Sequence, residues 1–126
     1  MTKRKRFRQL IQKPGMVLAP GAYDALSARI IEAQGFEAVF AGGYAAIGSM
    51  LGEPDIGQCN VRDYADHYGR ISAAVDVPVY VDGDTGFGGV HNIRHMVRAR
   101  CVAKTSVPIR YPRLAHNVAT IMPCNR

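Results

Sequence analysis

Short apolar runs that end in glycine-bearing turns, each followed by a helical stretch, recur along residues 14–97, and a chain patterned this way has few folds open to it. Met16–Ala19 is the first such run. Pro20-Gly21 turns the chain, and Asp24 is placed to open a helix whose apolar positions Leu26, Ile30 and Ile31 lead to a stop at Gly35. Glu37–Ala41 reads as the next strand, Gly42-Gly43 as its break, Tyr44–Met50 as a short helix and Leu51–Gln58 as a loop containing Gly and Pro. Asn60 caps a longer predicted helix over Val61–Ala74, with Tyr64, Tyr68, Ile71 and Val75 as its apolar positions. Val79–Val81 is the most buried-looking strand, and after Gly83–Gly89 a helix starts near His91. Ahead of all this, Lys3–Gln12 reads as a basic amphipathic helix with Phe7, Leu10 and Ile11 on one side, closed by Pro14-Gly15. Strands alternating with helices at this spacing mean parallel βα units, in either a doubly wound sheet or a (β/α)8 barrel.

The formal charge of +6 belongs to the two ends of the chain. Lys3, Arg4, Lys5, Arg6, Arg8 and Lys13 lie at one end, and Arg98, Arg100, Lys104, Arg110, Arg113 and Arg126 at the other, with no acid among either group. All 10 acidic residues fall between them. A basic terminus of this kind is ordinarily the polar face of a first helix, so the total charge is a poor argument for nucleic-acid binding. No apolar run approaches the roughly 18 residues of a membrane helix, and Met1–Leu10 lacks the apolar stretch of a secretory signal, so a cytoplasmic protein is expected. Cys59, Cys101 and Cys124 contain no C-x-x-C pair and indicate neither a disulfide framework nor a zinc site.

Chemistry should sit where the strands end, as both architectures require. Three loops qualify: Gly42-Gly43-Tyr44, Leu51–Gly57 and Asp82–Gly89. Two carboxylates two residues apart at a strand terminus, Asp82 and Asp84, are expected on the same side, where they repel unless a cation lies near, and hard oxygen ligands suit Mg2+ or Mn2+. The same residues also serve as ordinary turn formers, Asp82 capping the turn and Asp84 in solvent. Neither G-x-G-x-x-G nor G-x-x-x-x-G-K-[ST] is present, which argues against a nucleotide-binding loop.

Pro20-Gly21-Ala22-Tyr23-Asp24-Ala25-Leu26-Ser27-Ala28, Ala41-Gly42-Gly43-Tyr44, Gly52-Glu53-Pro54-Asp55-Ile56-Gly57 and Val81-Asp82-Gly83-Asp84-Thr85-Gly86-Phe87-Gly88 occur in an order and spacing that resembles the isocitrate lyase/phosphoenolpyruvate mutase superfamily over about residues 7–98. The resemblance implies a (β/α)8 barrel of the TIM type, whose Mg2+ holds the carboxylates of a small 2-oxo or 2-hydroxy acid and stabilises an enolate-like intermediate. Members cleave C–C bonds, decarboxylate oxaloacetate or form P–C bonds, and C–C cleavage is the favoured expectation. Carried over by position, Asp82 is the direct metal ligand and Asp84 acts through water. Gly42, Gly43 and Tyr44 bind substrate, the backbone N–H groups holding its carboxylate, with Ala41 where many members have Ser. Tyr44 and Asp55 are the catalytic candidates, Asp55 matching an acidic residue in a mobile loop near the substrate, with a plain Pro-Asp turn residue as its alternative reading. A full-length parent is expected to be a homo-oligomer with a small carboxylic-acid substrate.

The family's Glu-Asp-Gln strand end, its K-[KR]-C-G-H loop and its later Arg have no counterpart in this sequence. Against the roughly 250 residues of a barrel, 126 residues hold at most three or four of the strands. Residues 1–97 are therefore expected to be the first part of a TIM-barrel lyase/mutase domain and residues 98–126 a divergent, irregular tail, out of frame or otherwise derailed. The last acid is Asp84 and the last glycine Gly89, and back-translation of residues 115–123 in a neighbouring frame permits a run close to the missing cysteine loop. This chain alone is expected to be inactive. A non-catalytic fragment and a basic nucleic-acid-binding module are the alternative functions.

Overall fold

The computed structural model describes residues 1–102, 108–109 and 120–121. Five helices lie among them: α1 (Lys3–Gln12), α2 (Ala25–Ala33), α3 (Gly43–Leu51), α4 (Val61–Ala74) and α5 (Val90–Val102). Strands β1 (Val39–Ala41) and β2 (Val79–Val81) pair in parallel with Val39 opposite Val79 and Ala41 opposite Val81. A third segment lies beside β1 through a parallel bridge between Gly21 and Phe40, the Phe40 N–H donating to the Pro20 carbonyl at 3.0 Å and the Ala22 N–H to the Phe40 carbonyl at 2.7 Å. The three segments therefore stand side by side in chain order, with a helix after each.

The first pairing is centred on Gly21 instead of the expected Met16–Ala19 run, and is only a bridge. Pro20 can offer a carbonyl but no N–H, which limits how far this edge extends. The second strand is correspondingly shorter than Glu37–Ala41, while Val79–Val81 and the helices Lys3–Gln12 and Val61–Ala74 keep the bounds the pattern predicts.

Strand alternation sorts the side chains into two layers. Val39, Ala41, Val79 and Val81 face α2, α3 and α4 and join Ala28, Ile47, Tyr64, Tyr68, Ile71 and Val75 in the main core. Phe40 and Tyr80 face the other way, where Phe7 and Leu10 of α1 pack with Ala38, and Phe7 stacks on Tyr80 at 5.7 Å. Ile11, expected beside them, is 46% exposed. Arg4, Lys5 and Arg8 are exposed, so the basic run is largely the polar face of a docked helix, and Lys3 reaches back to donate to the Ser72 and Val75 carbonyls at the end of α4.

In α2 the apolar reading is turned around. Leu26 and Ile30 are 67% and 55% exposed, whereas Ser27 and Ala28 are buried. Ile31, the third apolar position, does pack on the core, and the helix opens on a capping box in which Asp24 Oδ1 accepts from the Ser27 N–H at 2.7 Å and Ser27 Oγ accepts from the Asp24 N–H at 3.1 Å. Ser27 must face its own cap, and the small Ala28 then lets the helix approach the sheet. On the C-terminal side, α5 continues past residue 97 to Val102. Of the segment expected to be irregular, the described residues include a short antiparallel pair, β3 (Pro108–Ile109) with β4 (Thr120–Ile121); its other residues lie outside those described.

Candidate functional site

The turns that follow β1 and β2 meet at the C-terminal edge of the parallel strands. The Asp82 N–H donates to the Ala41 carbonyl at 3.2 Å, carrying the ladder one residue beyond the strands and tying the two turns together. Immediately beyond Ala41, Gly42 caps α3 without a side chain. The Ala46 N–H is the first in that helix to find a helical acceptor, the Gly42 carbonyl, so the N–H groups of the preceding turn are available to an anion. Gly42 has little room for anything larger: a Cβ there would stand 3.1 Å from the ring of Phe40.

Asp82 and Asp84 are both exposed at this edge. Strand alternation does not relate them, because β2 ends at Val81 and Asp84 has a left-handed backbone with φ 49°. What relates them is a turn in which Asp82 Oδ1 accepts from the Asp84 N–H at 2.9 Å. That bond uses one oxygen of Asp82 and leaves Oδ2 with both oxygens of Asp84. Among the described residues no group of three or more His, Cys, Asp or Glu is gathered as a metal cluster.

Asp55 comes to the same edge from the loop after α3. Its Oδ1 accepts from the Gly57 N–H at 3.1 Å, and its Oδ2 lies 3.4 Å from where a Cβ on Gly43 would be. Tyr64 Oη lies 3.6 Å from that same point. The carboxylate of Asp55 and the phenol of Tyr64 thus approach one point beside Gly43, at ordinary van der Waals distance from a Cβ placed there. Tyr44 is 70% exposed.

Two aromatic residues that the sequence reading left out of the site complete it. The spacing predicts Tyr64 as a core position of α4, and its ring does lie in the core, while its hydroxyl comes within 3.6 Å of the Cβ position on Gly43. Phe87, within the turn after β2, packs on Tyr64 with ring centroids 5.5 Å apart. The D-G-D-T-G-F-G pattern held a signal for Phe87, a large apolar residue amid turn residues. Nothing in the spacing of Tyr64 distinguishes it from Tyr68.

The remaining polar groups are structural. His67 is buried and donates from Nε2 to the Tyr23 carbonyl at 2.8 Å, holding the start of α2 against α4. Asp24 has its carboxyl held below the ordinary range by the backbone N–H of Ser27 and then by the Ser27 hydroxyl. Burial pushes the Cys59 thiol up, with Asp63, Asp55 and Glu53 adding to the effect, so the thiol stays protonated near neutral pH and is no nucleophile.

The family model described as phosphoenolpyruvate phosphomutase matches residues 7–106. The 2,3-dimethylmalate lyase of Eubacterium barkeri is 40% identical over 98 residues, covering 78% of this chain and 34% of that protein. The chloroplastic carboxyvinyl-carboxyphosphonate phosphorylmutase of Arabidopsis thaliana is 44% identical over 94 residues, covering 74% of this chain and 28% of that protein. A solved oxaloacetate acetylhydrolase in complex with the product oxalate superposes with a TM-score of 0.78 at 28% identity, covering 82% of this chain and 37% of that one. The chain therefore spans about a third of the length of the curated relatives it matches.

Proposed function

The chain belongs to the phosphoenolpyruvate phosphomutase family, and on that footing we propose that it carries the first βα units of a (β/α)8 enzyme that acts on a small 2-oxo or 2-hydroxy carboxylic acid, with C–C bond cleavage as the favoured reaction. One observation carries the reading. The bond from the Asp82 N–H to the Ala41 carbonyl puts a pair of carboxylates and an uncapped helix N-terminus at one edge, where a multiply charged acid needs both a cation and N–H donors.

The donor set suits Mg2+, or Mn2+ in its place. Asp82 and Asp84 offer only oxygen, both are exposed, and an ion held by two carboxylates would keep much of its water, as Mg2+ prefers. When bound, the ion supplies the positive charge that steadies negative charge developing on the substrate's oxygen. Asp82 would hold it through Oδ2, since Oδ1 is engaged by the Asp84 N–H. The N–H groups around Gly42, Gly43 and Tyr44 receive the substrate carboxylate, and the exposed Tyr44 side chain closes over that end. Asp55, oriented through Gly57, presents Oδ2 beside Gly43, where it can accept a proton or hydrogen bond from the substrate.

Calorimetric titration of the chain with Mg2+ and oxalate tests the proposal. Wild type binds oxalate only with Mg2+ present, Asp82→Ala abolishes that binding, and Asp84→Ala weakens it less. Equal affinity in wild type and Asp82→Ala would refute the assignment.

A further inference from the structure

We propose that Tyr64 is a positioning residue of this site, its hydroxyl setting the place of Asp55 against the α3 N-terminus and its ring setting the place of the turn after β2; this deepens the functional reading above and rests on it. Asp55 and Phe87 both belong to loops. The hydrogen bonds described around Asp55 are local to its own loop: Ile56 N–H to Gln58 Oε1, Gly57 N–H to Asp55 Oδ1, and Gln58 Nε2 to the Pro54 carbonyl. Phe87 has a left-handed backbone at φ 63°, a conformation unfavourable for a residue with a side chain. Neither loop sets its own position cheaply.

Tyr64, by contrast, stands on a fixed element. α4 is closed at its start by the Asn60–Asp63 capping box and bonded at its end by Lys3, and Tyr64 itself is 4% exposed. From there its ring meets Phe87 at 5.5 Å and Tyr68 at 5.7 Å. Its Oη and the Asp55 Oδ2 flank one methyl-sized position on Gly43, at 3.6 and 3.4 Å. What Tyr64 has beyond a phenylalanine is this hydroxyl, and it is directed to the point at the α3 N-terminus that the Asp55 carboxylate also approaches. A site held by loops needs support from a rigid neighbour, and this side chain touches the supports of both the anion-binding and metal-binding halves.

The test separates hydroxyl from ring in the chain as it stands. Tyr64→Phe keeps the ring, and without ligand it should shift the backbone amide resonances of Gly43 and Gly57 while leaving those of Gly86 and Phe87 in place. Tyr64→Leu should shift both sets. Calorimetry with Mg2+ and oxalate should show Tyr64→Phe weakening binding about tenfold with an unchanged melting temperature, and Asp55→Asn adding little in the Tyr64→Phe background, because on this proposal both substitutions act at the same point beside Gly43. Unchanged amides at Gly43 and Gly57 in Tyr64→Phe would overturn the proposal, as would unchanged affinity. A wild-type chain that binds neither Mg2+ nor oxalate would instead remove the functional reading, and the ligand-free amide shifts would still decide whether Tyr64 sets these loops. Should Tyr64→Leu unfold, Tyr64→Phe alone carries the decision.

Discussion

A methyl group on Gly86 would stand 2.3 Å from Cγ1 of Ile93, on a backbone held at φ +91°, and both facts oppose any side chain there. Gly86→Ala should therefore lose about 1–3 kcal/mol in urea unfolding; a variant as stable as wild type would mean that α5 yields at Ile93. Asp24 gives a second residue-level outcome. Removing this N-cap as Asp24→Ala should cost about 1 kcal/mol at neutral pH. Because the folded carboxyl titrates below its ordinary value, its stabilisation is complete above the usual carboxylate range of about pH 4 and is lost as the pH falls through the lower folded value. Urea midpoints of wild type and Asp24→Ala, separate at pH 7, should converge in acid; a constant gap would show that the charge is irrelevant to the cap. The caps at Asp24 and Asn60 were legible in the sequence, because a cap is a local contract between a short polar side chain and N–H groups three residues away. The role of Tyr64 was not, because its partner is a glycine of a different unit and no local rule ties them.

Elements were legible where one periodicity served one core. α4 buries the stripe its spacing predicts, and Val79–Val81 is a strand as read. α2 was legible in extent and only in part in orientation, because its small Ser27 and Ala28 are buried with Ile31 on the core side while Leu26 and Ile30 stay outward. The link between α2 and the segment entering β2 was also hidden: Glu32 Oε1 accepts from the Asp76 N–H at 2.7 Å and the Val77 N–H at 2.9 Å, more than forty residues ahead. Glu32→Ala leaves a buried-side N–H to find water, so a loss of about 1–3 kcal/mol is expected in thermal unfolding, and faster hydrogen exchange at Val77 in particular. Glu32→Gln retains an acceptor oxygen and should fall between the two. An unchanged exchange rate at Val77 in Glu32→Ala would show that the clamp contributes nothing.

For the whole molecule, the grammar of strand, turn and helix was enough to indicate parallel βα units, and the comparisons place those units in a family of lyases and mutases. The sequence contains neither the Glu-Asp-Gln nor the Cys-Gly-His segment that the superfamily resemblance leads one to seek, and losing positioned acid–base groups typically costs about 10²-fold or more. The 126-residue chain is accordingly expected to show no turnover of isocitrate, methylisocitrate or oxaloacetate above background, even with millimolar Mg2+. Turnover that follows the protein peak through purification and vanishes in Asp82→Ala would overturn that expectation and imply that copies of the chain assemble a working site.

The side-by-side arrangement of the strands also bears on the order of folding. Gly21 meets Phe40 and Val39 meets Val79, so each pairing joins the newest strand to the one just before it, and the sheet can grow in the direction of synthesis. α1 is the exception. Although it comes first, its Phe7 waits for Tyr80 and its Lys3 for the carbonyls of Ser72 and Val75. α1 thus docks only after the later elements it packs on are in place, and until it does, Tyr80 remains uncovered by its aromatic partner Phe7.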